Sequence, residues 1–221
     1  MSKLETYQTY GMLFHKAYLR LDYKMSTAHK REKNPEGVRK AILDNAALLA
    51  IEHGVQAVTI QAVADAVSVT KGGVVHHFPT KKALLDALFA DLADHWEAEL
   101  NRHISNHAGE VGALTRAYVE VSIPDPTDVP ARAYSYLALA AIGSDETRYY
   151  LSERIHKLLE RHSETDNFIE LATIRFAAEG FWISQLTNME SRSHDEVKRH
   201  LLKLIDVFIQ DRSMSKRTEV P

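Results

Sequence analysis

From Pro35 onward the apolar residues recur at intervals of three and four, the spacing of one face of an α-helix. Val38, Ile42, Ala46 and Leu49 step by 4, 4 and 3. Asn34-Pro35-Glu36 supplies a helix start: a cap, a proline at the first position and an acid in the first turn. Gly54 suits a left-handed position after the last turn, so the first helix is predicted over Pro35–His53. A short link, Val55–Val58, leads to Thr59, whose hydroxyl can cap the next helix. Ile60–Val67 carries apolar residues at 60, 63, 64 and 67, one stripe on a two-turn helix. Val67-Ser68-Val69 has the length of a tight turn, and Thr70 can cap a third helix over Lys71–His77. Ile42, Leu49, Val58, Ile60, Val63, Val69, Val74 and Phe78 are expected to bury against one another.

The same period continues downstream. Pro79 stops the third helix and Thr80 caps a long one from Lys81 to about His103, with Leu84, Leu85, Leu88, Leu92 and Trp96 on its inner side. Further helices are predicted over Val111–Val121, Ala131–Ile142, from Asp145 (capped by Ser144) to about His162, Asp166–Asn188 and Asp195–Gln210. Pro124, Pro126 and Pro130 force a break between the first two of these. Ala131–Ile142 is apolar nearly all round and is expected to be buried. The tail, Asp211–Pro221, reads as polar and loose. Residues 1–34 form an extension in which Leu4, Tyr7, Tyr10, Phe14, Tyr18 and Leu21 fall at helical spacing, followed by basic residues 24, 30, 31 and 33. A basic arm along DNA and a flexible leader are both open readings.

Composition narrows the classes. The 221 residues can bury a substantial core. The chain has no cysteine, which removes disulfides, thiol nucleophiles and cysteine zinc sites together. No apolar run approaches the ~20 residues needed to span a bilayer; a cytoplasmic location is expected and no membrane partner. The net charge of −3 conceals an asymmetry: residues 1–82 hold 12 Lys/Arg against 7 Asp/Glu, and residues 83–221 hold 15 against 23. A basic head on an acidic body is what a protein needs when only its head meets nucleic acid.

The chemistry concentrates in Thr59–Lys82. Two helices joined by a tight turn, the second short and polar at its start, fit a helix-turn-helix whose second helix reads base edges in the major groove. Gly72 and Gly73 each cost a helix about 1 kcal/mol relative to Ala, and close approach of the backbone to a duplex gives them a reason. Lys71 is the leading candidate for a base or phosphate contact. His76 and His77 can each donate to phosphate, with one of the two packing inward. Thr80 and Lys81 sit at a helix N-terminus, where free N–H groups suit a phosphate.

The run from Ala64 to Leu84, ADAVSVTKGGVVHHFPTKKAL, resembles the signature of the TetR/AcrR family of bacterial transcriptional regulators. The likeness extends from about Pro35 to about Leu88, roughly a quarter of the chain, and its most specific part is the Lys-Gly-Gly…His-His-Phe-Pro-Thr-Lys string. Two positions depart from the pattern. Ser68 stands where the family usually has glycine, and Val75 where it commonly has an aromatic whose hydroxyl reaches phosphate; Val75 can instead touch a thymine methyl.

The resemblance implies an all-α protein: a three-helix helix-turn-helix head at 35–82 on a larger helical body at 83–221 for ligand binding and dimerisation. It implies a ligand-responsive regulator, a repressor, that binds a pseudo-palindromic operator in double-stranded DNA as a homodimer and is released by a small molecule. DNA-binding residues would be Thr59, Gln61, Thr70, Lys71, Gly72, Gly73, Val75, His76, His77, Thr80 and Lys81. Trp96, Tyr118, Tyr134 and Phe176 would line the effector pocket, whose composition favours an apolar or aromatic compound over a phosphate or sugar. The last two helices carry more apolar surface than one face can bury in a monomer, so Phe181, Ile183, Leu186, Leu201, Leu202, Ile205, Phe208 and Ile209 would form the dimer interface. The alternative reading is a small-molecule-binding protein with little or no specific DNA binding.

Other chemistry has little support. His103 and His107 are four apart, as are Asp91 and His95, but no third ligand stands at a matching spacing, so no metal is expected. Gly-x-Ser-x-Gly, His-Glu-x-x-His and Walker-type glycine loops are missing from the sequence, and His156 with Glu160 reads as a solvated pair. Neither an enzyme nor a cofactor is expected.

Overall fold

The computed structural model of the chain describes residues 34–125, 138, 141, 143–187, 189 and 192–218. The predicted leader helix, most of the predicted helix Ala131–Ile142 and Tyr134 lie outside the described residues. Those described are helical, with no strand among them. They fall into two compact units, one at 34–92 with 138, 141 and 143, and one at 93–125 with 144–218.

The first unit holds α1 (Pro35–His53), a 3₁₀ turn (Val55–Ala57), α2 (Ile60–Val67), α3 (Lys71–His77) and the first half of α4 (Lys81–Ser105). The starts follow from local chemistry. Asn34, Thr59, Thr70 and Thr80 side chains accept N–H bonds from Gly37, Ala62, Gly73 and Ala83 at 2.9–3.0 Å. Each satisfies one of the donors a helix start leaves orphaned. Gly54 has positive φ, as expected, but its ψ of 156° makes it extended rather than left-handed helical.

Ile42, Val58, Val63, Val74, Phe78 and Leu84 are buried in this unit. Leu49, Ile60 and Val69 are only half-buried, contrary to expectation; Leu43, Ala46, Ala47, Ala50 and Ala64 fill the core instead. Small alanines on α1 and α2 occupy the inner positions, and the larger side chains at 49, 60 and 69 lie at the rim.

The second unit holds the rest of α4, then α5 (Ala113–Ser122), α6 (Asp145–Arg161), a single turn α7 (Ser163–Asp166), α8 (Ile169–Leu186) and α9 (His194–Thr218). Its core joins Leu100, Leu114, Val119, Ile123, Leu158, Leu171, Ala178 and Ile205. Arg154 reaches Asp94 at 2.6 Å and Glu97 at 2.5 Å, and Arg161 reaches Glu97 at 2.5 Å, fastening α6 to the second half of α4. The Arg161 and Arg154 guanidiniums hold the Glu97 carboxyl below the usual carboxylate range.

Three boundaries differ from the periodicity. α5 starts at Ala113 because Gly112 is left-handed and sits against α9; a Cβ there would come 3.0 Å from Ile205 Cγ2. The predicted helix from Asp166 instead begins at Ile169. The buried Asp166 carboxylate accepts from the Leu114 and Thr115 N–H groups at 3.2 and 2.8 Å, and from the Thr115 hydroxyl at 2.6 Å. It therefore caps α5 from outside, and the chain turns at Asn167 to permit it. The tail is not loose through Thr218, where α9 ends. Arg212 lies over the Phe168 ring at 4.1 Å, and Phe168 meets Phe208 at 5.3 Å, so contacts hold the first of the added turns.

Candidate nucleic-acid interface and effector region

In the head, Val67 ends α2 and Ser68 makes the turn in the left-handed conformation, φ 57° and ψ 41°. Ser68 and Val69 N–H groups return to α2 carbonyls at Asp65 and Ala64. A non-glycine residue in that conformation costs about 1–2 kcal/mol. The turn therefore keeps the geometry for which glycine is the easy solution.

α3 divides cleanly. Val74 is buried and, just beyond, so is Phe78, with Arg39 over its ring at 5.1 Å. Lys71, Gly72, Val75 and His76 are exposed, together with the capping Thr70. His77 is the inward member of the pair, half-buried and edge-on to His76 at 5.3 Å. Neither glycine is demanded by the protein's own packing. Their φ values are not positive, and a Cβ at Gly72 would meet only the Thr70 hydroxyl at 3.9 Å. At Gly73 it would meet the same hydroxyl at 3.4 Å, ordinary contact.

The remaining expected contact residues have internal partners. Gln61 bonds Asp65 at 2.8 Å on the exposed side of α2. Lys81 donates to the Gln56 carbonyl at 3.0 Å, tying the start of α4 to the 3₁₀ turn, a role that spacing did not reveal. Lys82, outside the expected set, pairs with Asp86 at 2.9 Å. Thr59 and Thr80 each serve as caps.

In the second unit, Trp96 and Tyr118 come together, rings at right angles and centroids 5.8 Å apart. The Tyr118 hydroxyl bonds the carboxyl of Glu179, which sequence reading missed. A single glutamate in a helix carries no periodic signal. Phe176 does not join them: it is 71% exposed, on the opposite face of α8, which corrects its expected place in a pocket. Its 3.6-period position is compatible with either face, and Leu171, Ile174, Ala178 and Phe181 take the inner one.

The residues expected at a dimer face also divide. Phe181, Leu201 and Ile205 are buried within the protomer's own core, so they have no surface left to give. Leu186, Leu202, Phe208 and Ile209 are half-buried, the last three packed against that core, and Ile183 is exposed. The outward stripe is a different one: Ile169, Phe176 and Ile183 on α8, seven apart, and Leu204, Val207 and Met214 on α9.

Among the described residues, no group of three or more His, Asp or Glu could hold a metal ion, and no helix is long and apolar enough to cross a membrane.

Comparison with known proteins accords with this architecture. The family model for bacterial regulatory proteins of the tetR family matches residues 42–88. The model for the tetracyclin repressor-like C-terminal domain matches residues 112–207. The chain belongs to the TetR family of bacterial regulatory proteins.

It is 30% identical over 129 residues to the HTH-type transcriptional repressor KstR2 of Rhodococcus jostii (strain RHA1), covering 58% of this chain and 59% of that one. It is 34% identical over 65 residues to the transposon Tn10 TetC protein of Escherichia coli, covering 29% and 33%. The match thus spans less than two thirds of the length of either relative. Among solved structures, the multidrug binding protein EbrR complexed with malachite green is similar at 19% identity and a TM-score of 0.60, over 79% of this chain and 98% of that one. The ketosteroid transcriptional regulator KstR2 of Mycobacterium tuberculosis is similar at 18% and 0.52, over 81% and 96%. These structural likenesses establish the fold.

Proposed function

We propose that the protein is a ligand-responsive transcriptional repressor that binds a pseudo-palindromic DNA operator as a homodimer in the cytoplasm. DNA binding is assigned to 35–82, effector binding and dimerisation to 83–221. The observation that carries the reading is the outward face of α3. It offers a lysine, a histidine, an apolar valine and Gly72, with the half-buried Gly73 beside it, and nothing inside the head requires either glycine's missing side chain. Lys71 and His76 suit phosphate or base edges, Val75 suits a thymine methyl, and the glycines let backbone approach the duplex. The relatedness to a repressor supports the sign of regulation. The complex of EbrR with malachite green supports a small molecule as effector.

The exposed apolar stripes of α8 and α9 fit a two-fold interface, each copy presenting the same pair of helices. A dimer would set two recognition helices about 34–36 Å apart, in successive major grooves. An effector that binds better to a form with another spacing would lower operator affinity by that difference in binding energy.

The test is a fluorescence-anisotropy titration of the protein with DNA from upstream of its own gene at several salt concentrations. Tight binding to one fragment, with steep salt dependence and a loss on Lys71→Ala, is expected; losing one phosphate contact lowers the salt slope by about 1. Weak, equal binding to every fragment, followed by an empty genome-wide fragment selection, would replace this reading with an effector-binding protein that has no operator.

A further inference from the structure

In the second unit the Asp166 carboxyl is buried and the Glu179 carboxyl half-buried, and the two differ in their company among the described residues. Asp166 takes two backbone N–H groups and the Thr115 and Thr165 hydroxyls, with Arg175 Nη1 at 3.8 Å. All of its charge is used in holding the start of α5. Glu179 on α8 is half-buried and bonds the Tyr118 hydroxyl. No Arg, Lys or His among the described residues pairs with it. Burial pushes its carboxyl above the usual range. Glutamine would keep the Tyr118 bond without that penalty, so packing alone gives no reason for the acid.

Its neighbours suggest the reason. Tyr118 bonds it directly, and Trp96 stands at a right angle to Tyr118. Aromatic rings attract a cation through their negative faces, and a carboxylate attracts it by charge. A neutral ligand would leave the acid unpaired, and an anion would be repelled. A bare divalent metal is a poor fit, since one carboxyl and one phenol fall short of the six or more oxygens that calcium takes.

We propose that Glu179, Tyr118 and Trp96 are the recognition point for an organic cation, a quaternary ammonium or a protonated aromatic amine, which is the effector. This rests on the regulator reading above and names the chemical class of its ligand.

The experiment titrates the full-length protein by calorimetry with tetramethylammonium, benzyltrimethylammonium and tetraphenylphosphonium, with tetraphenylborate as an anion of matching shape. At least one cation is expected to saturate a site and tetraphenylborate to be rejected. Glu179→Gln should weaken the cation tenfold or more with an unchanged circular-dichroism spectrum and no loss of thermal stability. If none of the three cations binds, or if Glu179→Gln binds as tightly as the parent, the proposal is overturned.

Anisotropy on the operator fragment separates this from the broader reading. If cations bind through Glu179 but no DNA is ever bound, the regulator reading falls and the cation site stands. If DNA is bound and a neutral compound releases it while the cations do not, the cation class falls and the regulator stands.

Discussion

Replacing Gly72 by alanine sets the protein's own stability against its proposed task. α3 is only seven residues long, and Gly72 is its second. In a helix glycine costs about 1 kcal/mol relative to alanine, so the variant should gain up to about that amount. The added methyl meets nothing but the Thr70 hydroxyl at 3.9 Å, so no clash offsets the gain. For a protein of this size, 1 kcal/mol corresponds to a rise in Tm of about 2–4 °C. On DNA the sign should reverse. If backbone at Gly72 lies against the duplex, a methyl there is overpacking, which costs about 1–3 kcal/mol. At 1.4 kcal/mol per decade that weakens operator binding by roughly five-fold to more than a hundred-fold. A thermal melt of the protein alone and an anisotropy titration on one preparation read both signs. A variant that gains stability and still binds DNA like the parent would refute the argument that the duplex requires this glycine.

Other outcomes are expected from single changes. Ser68→Gly should stabilise the head by about 1–2 kcal/mol through relief of the left-handed turn, read by urea denaturation; no change in midpoint would mean the turn carries no strain. Phe176→Glu should convert a dimer to a monomer in sedimentation velocity, because Phe176 is central to the exposed α8 stripe; an unchanged mass would remove that stripe from the interface. Glu179→Gln should raise thermal stability at neutral pH. The folded carboxyl titrates above its unfolded value, so its protonated form contributes stability below the ordinary glutamate range, and this is lost as pH rises through the raised value. The gain should therefore shrink on acidification, and a gain independent of pH would contradict the assignment.

The head was legible because its determinants are local. Asn34, Thr59, Thr70 and Thr80 each bond an N–H three residues on, so the residue at the cap and the start of the helix are one signal. The same holds for Ser144 and α6. In the body the decisive partners are far apart in sequence. Asp166 sits in a segment of unbroken helical period, and only its bonds to residues 114 and 115 show why the helix waits until Ile169. α8 has apolar residues on two faces, and the period does not say which turns inward; Phe176, expected to line a pocket, is exposed, and Phe181, expected at a dimer face, is buried in the protomer's core. Glu179 had no pattern to betray it, since its significance lies in its partners, Tyr118 and no cation among the described residues, rather than in any spacing.

The Asp166 cap also constrains how the chain is made. α5 emerges from the ribosome 51 residues before Thr115 can meet its acceptor, with all of α6 still to follow. Throughout that interval two backbone donors at the head of α5 must be held by water, and its apolar side has no α8 to lie on. The second unit therefore cannot be completed stepwise behind the exit tunnel. The head, whose helices each close on their own neighbours, can be finished while the rest is still being translated.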